Sequence, residues 1–258
     1  MMTTQALVIL GHSHVGAVVD ALKLRQPHPG NGMIYVHDVW ARNTQYADSD
    51  GAGGIAFNRE VLDLIDSTIP SDQPRHVISM LGGNGHVMLA LGKHPRPFDF
   101  VLPEQPDLPL DTGAEVLPYD YLVETLKPLM MSYIWQMIGL RQALGHSMLC
   151  IETPPPYGDD EYVSQNLGAY IKDPRNIVGR VMRYKMWRLH SNLLRYFCDA
   201  CGIEFFAAPE EAIDAEGFLR REGYGMDATH ANAWYGELLL RKLERHHGVS
   251  YKDWLHFS

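Results

Sequence analysis

The chain has 258 residues, 46% of them hydrophobic and 21% charged, with a formal net charge of −9 and a pI near 5.8. That length supports one sizeable core in a single domain, and the acidic balance excludes nucleic acid or an anionic membrane as the main partner, because phosphate binding needs clustered Lys and Arg. No run approaches the roughly 20 apolar residues of a membrane span, and the cysteines, Cys150, Cys198 and Cys201, are an odd set in a chain too large to need staples, which points to the reducing cytoplasm.

The chain opens MMTTQ, with no basic n-region or cleavable apolar segment, and passes at once into the stretch that organises it. Residues 6–10 are a short apolar run, read as a buried parallel strand. After Gly11-His12-Ser13-His14, Val15, Val18, Val19 and Leu22 recur at helical spacing. Ser13 therefore stands at the carboxyl end of a strand and the start of a helix, where unpaired N–H groups and the helix dipole favour developing negative charge. The alternative role for this serine is a helix N-cap.

A second strand is expected over 33–36, after the turn signal Pro29-Gly30-Asn31-Gly32, and a glycine-rich loop over 48–54. Asn58 is placed to cap a helix carrying Val61, Leu62, Leu64 and Ile65. The third strand, 77–81, runs into Gly82-Gly83-Asn84-Gly85-His86. Residues 93–118 are rich in proline, and a loop this long is expected to be a lid or substrate-selecting insertion, or else a mobile surface loop. A methionine-rich helix follows over 121–144, its Met130, Met131 and Met137 read as core filler. A fourth strand, 147–151, stops at Pro154-Pro155-Pro156. Then come a helix marked by Val178, Met182, Met186, Leu189, Leu193 and Phe197, a fifth strand over 203–206, and a last helix over 231–246. Alternating strands and helices imply a parallel five-stranded sheet covered on both faces. Cys198 and Cys201 have CxxC spacing but no second pair, so they read as helical thiols. The tail over 251–257 carries Tyr251, Trp254 and Phe257, which either pack on the body or form an oligomer contact; the oligomeric state itself is not legible.

Residues 223–232, GYGMDATHAN, hold the second half of a reaction centre. Asp227 and His230 stand three apart, close enough in a tight turn for the carboxylate to accept from Nδ1. That bond fixes the tautomer and leaves Nε2 to take a proton from a serine hydroxyl. A nucleophile, an oriented base and a polar donor at strand ends are the parts that acyl transfer needs.

In this combination the sequence resembles the SGNH hydrolases, the GDSL-type esterases and lipases, over nearly its whole length. The matching blocks are Gly11-His12-Ser13, Gly82-Gly83-Asn84, and Asp227-Ala-Thr-His-Ala-Asn232, with a second-block glycine at Gly53 or, preferred, Gly54; Thr153-Pro154-Pro155-Pro156 is also similar to the family. The resemblance implies a three-layer α/β/α sandwich with a flavodoxin-like sheet and no cofactor. It implies Ser13 as nucleophile, His230 as general base and acid, and Asp227 as its orienting residue. It also implies an oxyanion hole made by the N–H groups of Ser13 and Gly54 and the Asn84 side chain. Two positions depart from the pattern: the usual Asp before the serine is His12, and the Asp that often follows the third-block asparagine is Gly85.

The activity so implied is hydrolysis of a small or carbohydrate-linked ester, an O-acetyl sugar among them, through an acyl-enzyme. An acyltransferase would use the same triad, and a non-catalytic binding protein would be favoured had Ser13, Asp227 or His230 been lost. A phosphate loop over 11–16 lacks both the P-loop Lys and the full GxGxxG. A zinc site from His12, His14 and His86 is conceivable by residue type, but the flanks of a turn point apart and the family needs no metal.

Overall fold

The computed structural model describes residues 5–26, 29–39, 44–145, 147–167 and 176–258; the opening residues 1–4, read above for a targeting signal, lie outside these. β1 (Gln5–Gly11) is apolar on both faces, so Ala6, Val8 and Leu10 enter one core while Leu7 and Ile9 enter the other. That double burial puts it at the centre of a sheet. α1 (Val15–Leu24) follows, then β2 (Gly32–Asp38), a small antiparallel hairpin of β3 (Ala47–Ser49) and β4 (Ile55–Phe57), and α2 (Arg59–Thr68). Asn58 caps α2 as its position predicts, its side chain accepting from Val61 N. β5 (Arg75–Met80) leads into the short α3 (Gly85–Ala90). β6 (Phe98–Asp99) and β7 (Glu115–Val116) pair within the proline-rich segment, and α4 (Tyr119–Leu144) runs back to β8 (Met148–Ile151). α5 (Asp160–Gln165), α6 (Arg180–Ala200), β9 (Glu204–Phe206), α7 (Ala233–His247) and β10 (Tyr251–Phe257) complete the described chain.

The main sheet has the order β10-β2-β1-β5-β8-β9, with every pairing parallel. α1 and α7 cover one face; α2, α4 and α6 cover the other. This is the expected three-layer α/β/α sandwich, with one correction: the sheet has six strands rather than five. Residues 251–257 are an edge strand on β2, with a register shift between Tyr251 and Asp253, and not a loose tail. Tyr251 is 1% exposed, and His256 Nε2 lies 2.8 Å from Asp38 Oδ2. Without β10 the order is that of a flavodoxin-like sheet, whose switch point falls between β1 and β5. Ser13 and Asn84 follow directly from those two strands.

The proline-rich segment is clamped down. Lys185 on α6 places Nζ 2.8 Å from Asp99 Oδ1, and their side chains are 0% and 4% exposed. The same Nζ donates to Pro109 O at 3.0 Å, while Asp99 Oδ2 accepts from Asp111 N at 2.8 Å. Phe100 and Leu102 enter the core beside this pair. The thiols of Cys150, Cys198 and Cys201 are free, Cys198 inside α6 and Cys201 just past its end. No described helix is long and apolar enough to cross a membrane.

Removing one member of a buried ion pair strands the other without compensation, at a cost of about 3–5 kcal/mol. Lys185→Met is therefore expected to lower the urea midpoint steeply, and adding Asp99→Asn in the same chain to restore part of the loss. Equal stability of Lys185→Met and the wild type in urea titrations would show that the clamp does not hold the segment.

Candidate active site

Ser13 does not cap α1. His14 occupies the cap position and makes no side-chain cap bond, and Ser13 Oγ lies instead 2.8 Å from His230 Nε2. Among the described residues the Ser13 N–H has no hydrogen-bond acceptor, so it is open at a helix start. The turn is fixed from two sides. Gly11 N donates to the hydroxyl of the fully buried Tyr46 at 3.1 Å, and that hydroxyl donates on to His37 O at 3.1 Å. His12, standing where the resembled family has Asp, puts Nε2 3.3 Å from Oε1 of the buried Gln136 and packs edge-on to Tyr133 of α4.

His230 comes from the far end of the chain. His230 Nδ1 lies 2.6 Å from Asp227 Oδ2, and Asp227 Oδ1 accepts from Thr229 N and His230 N, each at 2.8 Å. Partial burial pushes the Asp227 carboxyl up, but the His230 bond and the two backbone N–H groups outweigh it and hold the group well below the usual carboxylate range. Asp227 therefore stays ionised at neutral pH and is set to stabilise an imidazolium. Behind this loop stand three tyrosines that sequence reasoning missed. Tyr157 donates to His230 O and accepts from Gly225 N at 2.8 Å, Tyr162 donates to Gly225 O, and Tyr224 stacks on Tyr157 with centroids 4.0 Å apart. Asn232 then caps α7, accepting from Trp234 N at 2.9 Å while its Nδ2 donates to Glu222 O and Tyr224 O, each at 2.8 Å.

Asn84 follows β5 at the head of α3 and makes no side-chain cap bond there. Its Oδ1 lies 2.8 Å from His14 Nε2. Gly83, beside it, has φ +71°, and a Cβ there would come within 2.3 Å of the Tyr133 ring, so both conformation and space require glycine. Gly54 stands apart from these residues. It sits in the β3–β4 turn, where its N–H donates to Asp50 Oδ1 at 2.8 Å, so that donor is already engaged. Ser13, Asn84, His230 and Asp227 are thus drawn together through hydrogen bonds and His14; among the described residues no bond joins Gly54 to them.

Between Asn84 and Thr229 opens a crevice walled by Val87, Ala90, Leu91 and Pro154 to Pro156. Imidazoles crowd its inner side. The His14 ring lies 4.9 Å from that of His230, and His86 lies 4.5 Å from His190. Burial lowers His14 to about 4, helped by the neighbouring His230, and burial lowers His190 to about 4 as well. His86 is pushed well below its ordinary value, by burial first and His190 second. These rings are neutral at physiological pH. Among the described residues no group of three or more His, Cys, Asp or Glu is arranged to hold a metal ion, so His12, His14 and His86 do not converge as ligands.

No family model and no curated protein matches the chain. Solved structures do resemble it. A carbohydrate acetylesterase from Sinorhizobium meliloti is 16% identical with a TM-score of 0.42, covering 95% of this chain and 99% of its own. A mutant acetyl-xylooligosaccharide esterase from Geobacillus is 14% identical with a TM-score of 0.42, covering 97% and 98%. The periplasmic domain of a lipopolysaccharide acetyltransferase from Salmonella Paratyphi A is 13% identical with a TM-score of 0.45, covering 94% and 83%. At such distances the activity has to be read from this chain's own residues. Its helix-flanked parallel sheet is a three-layer α/β/α sandwich, with the sequence blocks of Ser13, Asn84 and His230 gathered beyond the strand ends.

Two measurements follow from this geometry. Asp227→Asn, which can no longer fix the His230 tautomer, is expected to lower kcat about 1,000- to 10,000-fold, with the fold intact by circular dichroism. Between about pH 6.5 and 4 the unfolded chain protonates His14 and His190 while the folded chain does not. Stability therefore falls as the pH drops through that window, by on the order of 3 kcal/mol per ring at its lower end. Urea titrations at pH 7, 6 and 5 check this, and a flat profile would contradict the buried neutral rings.

Proposed function

We propose that this protein is a serine esterase that removes a short acyl group, acetyl foremost, from an alcohol such as a sugar hydroxyl. The observation that carries the reading is the unbroken chain from Ser13 Oγ to His230 Nε2 at 2.8 Å and from His230 Nδ1 to Asp227 Oδ2 at 2.6 Å. Ser13 Oγ attacks the ester carbonyl carbon as its proton passes to His230 Nε2, and ionised Asp227 stabilises the imidazolium. The oxyanion is met by Ser13 N–H and Asn84 Nδ2, donors whose value appears only as charge develops on the oxygen. Collapse of the tetrahedral adduct expels the alcohol, which takes the proton from His230. Water, deprotonated by the same ring, then releases the carboxylic acid and regenerates Ser13.

The acyl side of the reading is supported by the crevice beside Asn84, which is walled by the apolar side chains of Val87, Ala90, Leu91 and Pro154 to Pro156. Next to the nucleophile, His12 packs edge-on to the partly exposed ring of Tyr133. A partly exposed aromatic ring near the nucleophile fits a carbohydrate ring better than a long alkyl chain. The free state of Cys150, Cys198 and Cys201 fits a reducing cytoplasm.

The deciding experiment is hydrolysis of p-nitrophenyl acetate, butyrate and octanoate by the wild type and by Ser13→Ala. We expect acetate to be turned over fastest, octanoate at least about 100-fold more slowly, and Ser13→Ala to lose all but a residual rate. Equal rates for wild type and Ser13→Ala would overturn the reading. Including an acceptor sugar and assaying for its acylated form separates hydrolysis from transfer.

A further inference from the structure

The Asn84 carboxamide can assist an oxyanion only if its NH2 faces the reacting carbonyl. Turned over, it would present Oδ1 and repel the charge it should hold. The Asn84 backbone does not settle this, since its side chain makes no bond to the start of α3. Its one side-chain partner among the described residues is His14 Nε2, at 2.8 Å.

What that nitrogen carries follows from its surroundings. His14 is 7% exposed, and burial together with the nearby His230 lowers it to about 4, so at neutral pH the ring holds one proton. Its Nδ1 is buried and has no partner among the described residues. A proton on Nδ1 would be an unpaired buried donor, whereas on Nε2 it is used, leaving only a lone pair unpaired at Nδ1; buried N–H groups without acceptors are the rarer and costlier case. Nε2 is therefore the donor and Asn84 Oδ1 the acceptor. The neutral ring serves a second end. Lying 4.9 Å from His230, a charged His14 would oppose the imidazolium on which the reaction depends.

We propose that His14 is a positioning residue for the oxyanion site, its Nε2–H holding Asn84 Oδ1 so that the Asn84 Nδ2 hydrogens face the Ser13 side. The assignment rests on the esterase reading for its kinetic consequence but not for its hydrogen-bond geometry. It gives a task to the residue following the nucleophile, which pattern alone offered only as a metal ligand.

The test is a double-mutant cycle on p-nitrophenyl acetate with the wild type, His14→Phe, Asn84→Ala and the double variant, each checked by its Tm. His14→Phe is expected to lower kcat about 10- to 100-fold with KM changed less than about twofold, and Asn84→Ala about 100-fold or more. In the double variant kcat is expected to match Asn84→Ala, because His14 acts only through that amide. Losses that multiply would overturn the proposal. His14→Gln keeps a donor and is expected to recover part of the rate; a rate no better than His14→Phe at comparable Tm would count against the bond. A second arm needs no turnover. Nitrogen-15 NMR of the His14 ring is expected to show the neutral Nε2–H form at pH 7, and an Nδ1–H form or an imidazolium there would overturn the proposal. If the wild type and Ser13→Ala were equally silent on every ester, the esterase reading would fall while the His14 tautomer still decided this one.

Discussion

The site depends on the contact between α1 and α7. Ser13 heads the first of these helices and His230 stands just before the second, 217 residues apart in sequence. The two helices lie on the same face of the sheet, and a Cβ at Gly236 would come within 2.0 Å of Ala17 O. Only a residue without a side chain permits that crossing, and the crossing sets the depth at which the serine and the imidazole meet. The contact is locked at its other end by Arg25, whose guanidinium takes Glu244 through both terminal nitrogens, at 2.9 and 2.8 Å, and Glu237 through Nε at 3.1 Å. A bidentate, largely buried pair of this kind fixes orientation as well as distance.

Around that contact the protein separates one imidazole paired with a carboxylate from several that are buried without one. His230 Nδ1 lies 2.6 Å from the ionised Asp227. His14, His86 and His190 face one another in the dry interior, and burial keeps them neutral. The same residue type thus meets a carboxylate, an amide and other rings in one region, and its protonation is set by which neighbours carry charge and which are shielded from water.

Much of this was legible in the sequence because the signals are local. The apolar run from Ala6 to Leu10 has one reading in an α/β chain, and a serine two residues past a glycine at its end, with Asp and His three apart before a capped helix, needs no tertiary information to be noticed. Where the outcome depended on distant partners, the pattern misled or was silent. Gly54 matched a family block, yet its N–H is taken by Asp50 four residues earlier in the same turn. The proline-rich segment suggested a lid or a mobile loop because nothing in it announces that Asp99 meets Lys185, 86 residues on, in a dry interior. Tyr157, Tyr162 and Tyr224 carry no motif, and their common purpose appears only when two loops are folded against each other. β10 carries its aromatic residues three apart, Tyr251, Trp254 and Phe257, without the alternation of a strand, and so it read as a tail. Its strand character comes from the free edge of β2.

That edge carries a further consequence. β2 pairs with β1 on one side within the first forty residues, but its other side is covered only by a strand that begins at Tyr251. Throughout the making of the intervening chain, β2 presents a row of unpaired N–H and C=O groups beside apolar side chains, the condition under which strands recruit foreign partners. The long loop that β10 closes makes its docking one of the slower events of folding. Docking of β10 covers the β2 edge and passes the open side of the sheet to a strand that follows the loop bearing His230 in sequence. Until that strand docks, the sheet from which Ser13 and Asn84 project stands with its β2 edge open to a second copy of itself.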